Sequence, residues 1–297
     1  MSKIFREYIG VKPFSTNLRD FPVEIIKTNI SEFHFILGFA TEEYDAQNKG
    51  TGVFKETWNT RAFGPEAVRN LKGNNPNVKV VISIGGNDTV KTPFNPVEET
   101  IWITRAVSSL KVIIQKYKDQ TGNIIDGIDI NYLNVFHTTN DTGKLRFARC
   151  IGEVITQLKN DNYLRIKIVS IAPSETNEIH YRNLFWQNEA NINWVNYQFY
   201  NQSKAVSTLD DFLKLYDQVS RNYKPSIVLP GVSTDKLHIE PVDKMPREHF
   251  IAGCRHLLQI ASLPGVFLWN ADDSTIPLPN ENKPFVLEDI LQSLLIG

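Results

Sequence analysis

The chain has 297 residues, of which 41% are hydrophobic and 22% charged, with a net charge of −1 and a pI of about 6.6. That length fits one large barrel or two small domains, and the composition excludes a disordered chain. No basic run or stripe is present, which argues against nucleic acid and anionic membranes as partners.

Met1-Ser2-Lys3-Ile4-Phe5-Arg6-Glu7 leads straight into a first strand. No apolar targeting stretch precedes it, so a cytoplasmic location is expected. No apolar run is long enough to span a bilayer. Eight runs rich in Val, Ile and Phe read as buried parallel strands: 4–12, 32–40, 78–86, 127–132, 165–174, 193–201, 226–234 and 265–271. Helical patterns fall between them at 20–27, 64–72, 96–119, 142–159, 207–221, 246–260 and 284–295. Pro65 suits a first helical turn. The connection 175–189 is the least clearly helical. Residues 50–59 and 87–95 read as long loops where strands end.

Eight β/α units in one chain predict an α/β fold, a single closed (β/α)8 TIM barrel over 1–297. A doubly wound sheet would need a phosphate-binding glycine loop, and Ser83-Ile84-Gly85-Gly86 is too short for one. A monomer is expected. Cys150 and Cys254 fall in different predicted helices and read as unpaired core thiols. The histidines at 34, 137, 180, 238, 249 and 256 show no metal-ligand spacing, so neither metal nor cofactor is expected. Asn29, Asn87, Asn140 and Asn201 open Asn-x-Ser/Thr triplets, which matter only in a secreted chain.

The strand at 126–133 is the unusual one. Side chains two apart share a face of a strand. Ile128, Ile130 and Tyr132 form an apolar row, and Asp129, Asn131 and Leu133 form the other. A carboxylate and an amide on an inner row must be hydrogen-bonded or functional.

Asp126-Gly127-x-Asp129 resembles the Asp-Gly-x-Asp-x-Asp-x-Glu motif of the family 18 glycoside hydrolases, the chitinase family. Asn131 stands where that family has Asp, and Leu133 where it has the catalytic Glu. Ser83-x-Gly85-Gly86 is similar to the family's third-strand motif. Gln198-Phe199-Tyr200-Asn201 resembles a sixth-strand segment of plant class III chitinases, and Trp269 matches the Trp that floors the sugar pocket. The runs 5–10, 33–40, 170–174 and 263–267 are similar to the narbonin-like seed globulins within this family.

The resemblance implies substrate-assisted chemistry. The Glu would protonate the glycosidic oxygen, while the Asp would orient the sugar's acetamide and offset its developing charge. Leu133 has no proton to give, and Asn131 offsets no charge. Losing a general acid costs about 10²–10⁴ in rate, and losing an electrostatic stabiliser about 10²–10³. The degenerate positions Asp126, Asp129, Asn131 and Leu133 therefore imply no hydrolysis. Seed storage or a related plant role is the first expectation. A lectin-like protein binding N-acetylglucosamine oligosaccharide through Tyr200, Trp269, Asn131 and Gln198 is the alternative. A hydrolase with a relocated acid is a third.

Each of these residues also has a plainer reading. Asp129 reads as a buried structural carboxylate and Asp126 as a turn or cap residue. Leu133 reads as packing over a closed pocket, and Tyr200 and Trp269 as space-filling aromatics. Glu42, Glu43, Glu175, Asp235, Asp272 and Asp273 read as solvated loop charges. Phe14, Tyr44, Phe54, Trp58 and Phe94 supply bulk to plug the mouth, which would bury Tyr200 and Trp269.

Overall fold

A computed structural model describes residues 2–12, 17–86, 91–135, 141–239, 242–277 and 281–297. Phe14, Asn87, His137 and Asn140 lie outside the described residues. The strands are β1 (Ile4–Ile9), β2 (Glu32–Tyr44), β3 (Gly50–Glu56), β4 (Val78–Gly86), β5 (Lys118–Asp119), β6 (Gly122–Asn123), β7 (Gly127–Tyr132), β8 (Ile168–Ile171), β9 (Trp194–Tyr197), β10 (Val228–Ser233) and β11 (Gly265–Trp269). The helices are α1 (Pro65–Asn74), α2 (Glu99–Gln115), α3 (Asp141–Lys159), α4 (Glu178–Gln187), α5 (Leu209–Asn222), α6 (Lys236–Ile239), α7 (Arg247–Gln259), α8 (Ala271–Ser274) and α9 (Val286–Ile296).

Eight of the strands are parallel neighbours in the order β1-β11-β10-β9-β8-β7-β4-β2, and β1 pairs with β2 to close the ring. This is the expected TIM barrel, and all eight predicted strands are present. Helices start where side chains can satisfy their free N–H groups. Glu98 accepts from Thr100 N and Ile101 N, and Thr208 accepts from Asp211 N. The doubtful connection forms α4.

Several predicted boundaries are wrong. The helix expected at 20–27 is only a 3-10 turn at Val23–Ile25, and the strand expected at 165–174 is confined to Ile168–Ile171. Residues 50–56 are not loop but β3, antiparallel to the far end of β2. The sixth barrel strand stops at Tyr197, and Gln198 to Asn201 form a turn closed by Asn201 N to Gln198 O. Leu133 likewise lies one residue past the end of β7.

Partners across parallel strands face the same side. The register Ser83↔Asp129↔Ser170 therefore puts three polar side chains on one inner layer. Arg6↔His34 and Arg6↔Phe267 set the layer below it. Gly231 makes room for Phe267, since a Cβ there would meet its ring at 2.1 Å. The outer row of β7, Ile128, Ile130 and Tyr132, is fully buried beneath the helices.

Cys150 and Cys254 are buried and unpaired. Alkylation of the denatured, unreduced protein is expected to label both. Mass spectrometry finding either one unlabelled would contradict this.

Candidate functional site

The candidate site is the carboxyl end of the barrel. Asp129 is fully buried and accepts four hydrogen bonds. Tyr8 Oη and Ser83 Oγ donate to Oδ2, each at 2.8 Å. Ser170 Oγ at 2.6 Å and Asn196 Nδ2 at 3.1 Å donate to Oδ1. A carboxylate offers about four lone-pair sites, so none is left for a substrate. Arg6 Nη1 donates to Asn196 Oδ1 at 3.0 Å, which carries the buried cation toward the carboxylate. Burial raises the Asp129 pKa, while Arg6 and the hydroxyls pull it back.

Asp126 sits at the opposite end of β7. Its carboxylate takes Val80 N at 2.8 Å and Lys72 Nζ at 2.7 Å, a structural role as expected. Asn131 is 2% exposed, and its Oδ1 has no partner among the described residues. It lies beside Gly85, whose φ of +117° and 2.4 Å Cβ approach to Asn131 O exclude a side chain there. Leu133 is only partly covered, which corrects the expectation of a leucine sealed beneath the pocket. Asn177 Nδ2 holds the carbonyls of Tyr132 and Leu133 at 3.0 and 3.3 Å.

Tyr200 and Trp269 are 4% and 3% exposed, as a narrowed mouth requires. Tyr200 packs on His238 at 4.8 Å and on Phe267 at 6.1 Å between ring centroids. Trp269 packs on Tyr8 at 5.0 Å and on Phe39 at 6.1 Å. Its Nε1 has no partner among the described residues. Gln198 spends its amide on Ala172 O at 2.9 Å and on Asn201 Nδ2 at 3.3 Å.

The bulk named in advance for plugging the mouth goes elsewhere. Phe54 and Phe94 pack on Trp102, Trp58 bonds Tyr117, and Tyr44 bonds Pro93 O. The aromatics that do cover Tyr200 and Trp269 are Tyr8, Phe39, Phe267 and His238. Sequence reasoning missed Tyr8, Arg6 and Asn196. The signal was there: Arg6 and Tyr8, two residues apart, place a cation and a hydroxyl on one face of the first strand.

Three of the six loop acids are buried rather than solvated. Glu42 is held by Gly52 N at 2.8 Å, Trp102 Nε1 at 2.5 Å and Tyr132 Oη at 3.1 Å, and burial pushes it up to about 7. It locks β3 against α2 rather than facing the mouth. Asp272 accepts from Val11 N at 3.2 Å, and burial pushes it up to about 6. Asp235 is 5% exposed, accepts from Leu237 N at 3.0 Å and lies 3.7 Å from Lys12 Nζ. Glu43 pairs with Lys55 at the surface, Glu175 holds Ser203, and Asp273 pairs with Lys12 at 2.5 Å. Among the described residues, no cluster of His, Cys, Asp or Glu could hold a metal ion, and no helix is long and apolar enough to cross a membrane.

The fold and the Asp126-Gly127-x-Asp129 strand define a chitinase-like barrel. The sequence profile of Glycosyl hydrolases family 18 matches residues 26–226, and the chain belongs to that family. It is 35% identical over 299 residues to Chitinase 1 of Tulipa saxatilis subsp. bakeri, covering 98% of this chain and 87% of the tulip protein. The catalytic domain of a family GH18 chitinase from the fern Peteris ryukyuensis is 32% identical, with a TM-score of 0.82 over 99% of this chain and all of that one. Human YKL-39, described as a pseudo-chitinase with retained chitooligosaccharide binding, shares the fold at 13% identity, with a TM-score of 0.64 and full coverage of both chains.

Proposed function

We infer that this family 18 member is a narbonin-like barrel that does not hydrolyse chitin and serves in storage or a related non-catalytic role. Leu133 carries the reading: it occupies the proton-donor position and has no ionisable atom. The saturated Asp129 supports it, since a carboxylate with all its lone pairs engaged is not free to take up a neighbouring group's work. Glu42, the buried acid that titrates near neutrality, is committed to Trp102 and Tyr132. Incubation with chitohexaose is expected to release no reducing ends above a buffer blank. Turnover that survives purification and disappears when a nearby carboxylate such as Glu175 is replaced would overturn the reading.

One observation favours a second reading, a chito-oligosaccharide lectin. Asn131 Oδ1 and Trp269 Nε1 are both buried without a partner among the described residues, and buried polar atoms ordinarily have one. An acetamide offers both a donor and an acceptor. The close cover over Trp269 and Tyr200 ranks this reading below the first. Calorimetric titration of the parent and Trp269→Ala separates the two: saturable heat lost in the variant puts the lectin first.

A further inference from the structure

We propose that Lys12 is a latch on the mouth of the barrel: its ammonium ties together the chain after three strands and holds the covers over Trp269 and Tyr200 shut. Lys12 follows β1, Asp235 follows β10 and Asp273 follows β11. Lys12 Nζ donates to Asp273 Oδ1 at 2.5 Å and lies 3.7 Å from Asp235 Oδ2. Burial alone would lower the Lys12 pKa, yet Asp273, Asp235 and Asp272 outweigh it and raise it. The acids therefore hold the cation in its charged form.

Each end of the latch reaches a cover. On the Trp269 side, Val11 N donates to Asp272 Oδ2 at 3.2 Å, which pins the residue next to Lys12. The Val11 side chain lies on Gly38, where an added Cβ would meet its Cγ1 at 2.9 Å. Phe39 follows Gly38, and its ring packs on Trp269. On the Tyr200 side, Asp235 N donates to Ser233 Oγ at 3.0 Å, and Ser233 Oγ meets His238 Nδ1 at 2.9 Å. His238 N donates to Asp235 O at 2.9 Å, and the His238 ring packs on Tyr200. Thr234 N donates to Trp269 O at 2.6 Å, which couples the ends of β10 and β11.

This end of the barrel has a reason to open. Trp269 Nε1 is buried without a partner among the described residues, and such an atom gains by meeting water. Lys12 is the charge placed to oppose that gain. Its side chain is 40% exposed, so the latch is weak and screened by salt. The open mouth is thus a minor state that a small change can populate. The inference stands whether or not the mouth takes a sugar, because its test uses none.

The test is hydrogen exchange of the indole N–H groups, followed by NMR on the intact protein as parent, Lys12→Met and Lys12→Arg. Trp269→Phe assigns the Trp269 signal. Lys12 is partly exposed and methionine keeps an unbranched stem, so the fold is retained, and circular dichroism verifies this. Trp102 Nε1, bonded to Glu42 away from the mouth, is the internal control. Lys12→Met is expected to speed Trp269 exchange about fivefold and to leave Trp102 unchanged. Lys12→Arg is expected to keep most of the parent's protection. Added salt should speed Trp269 exchange in the parent but not in Lys12→Met. Trp269 exchange that ignores Lys12→Met overturns the proposal. So does equal acceleration of Trp102, which would mean general loosening, or a salt response that Lys12→Met keeps. Acceleration in Lys12→Arg as large as in Lys12→Met overturns it as well.

Discussion

Asp129→Ala is expected to destabilise the protein by about 3–5 kcal/mol, the usual cost of removing one partner from a buried charged network. Four donors, from Tyr8, Ser83, Ser170 and Asn196, would lose their acceptor in a place water does not reach. Arg6 would lose the carboxylate that offsets its charge, and its Nε and Nη2 already have no partner among the described residues. An unsatisfied buried polar group costs roughly 1–3 kcal/mol by itself. The losses overlap, because the donors belong to one network and can partly rearrange. Asp129→Asn should fall between the parent and the alanine variant: its amide oxygen still accepts, but its nitrogen faces groups that now must accept. Tyr8→Phe removes one donor and should cost about 1 kcal/mol. Urea unfolding followed by circular dichroism measures all three. An alanine variant within 1 kcal/mol of the parent would show that the cage around Asp129 is not what holds the barrel centre.

The barrel was legible because its strands are continuous apolar runs with turn residues between them, and that pattern depends on burial on both faces. Asp129 was legible too, as a carboxylate on a row where a free charge is too costly. What holds it was not. Tyr8 lies 121 residues away in sequence and Asn196 lies 67 away, and only the closed ring brings them together. β3 was missed because Gly50, Gly52 and Lys55 weaken its apolar pattern, and pairing with β2 outweighs that local preference. Glu42 was misread for a related reason. Its alternation with Tyr44 resembles an exposed strand end, and the cover comes from Trp102 on α2. Tyr200 and Trp269 were correctly expected to be buried, but beneath neighbours from other strands rather than the loop aromatics named for that job. Leu133 marks the limit of the sequence argument. The residue type excludes a proton donor, whereas its partial exposure depends on where β7 stops.

Glu288→Gln is expected to stabilise the protein at alkaline pH, by about 1–3 kcal/mol once the buried pair has ionised. Glu7 points outward from β1, between Phe35 and Leu268 in register, and Glu288 reaches it from α9. Both residues are fully buried, and none of their carboxyl oxygens receives a well-formed bond from a donor group among the described residues. Burial raises the Glu7 pKa well above 4.5, and the facing Glu288 and nearby Asp272 push it further. Burial also raises Glu288, with Glu7, Ser274 and Arg247 easing that only in part. Both carboxyls therefore keep their protons above the usual carboxylate range, and the pair titrates as a unit. In the unfolded chain both ionise near 4.5, so above that pH the folded state binds more protons and stability falls as pH rises. Each unit of raised pKa removes about 1.4 kcal/mol by the time the folded pair has lost its proton. Asp272, pushed up to about 6 by burial, has the same sign. His34 has the opposite sign: burial holds it down to about 4, so its contribution grows as pH rises from there to 6.5. Above 6.5 His34 is silent; Glu42, pushed up to about 7 by burial, has the same sign as the acid pair and is common to parent and variant. Glutamine at 288 can donate to an ionised Glu7 without taking up a proton. Urea midpoints of parent and variant should lie closest at acidic pH, where both carboxyls are protonated, and separate as pH rises, with the variant more stable. A difference that stays flat as pH rises would show that the pair between β1 and α9 takes up no extra proton on folding.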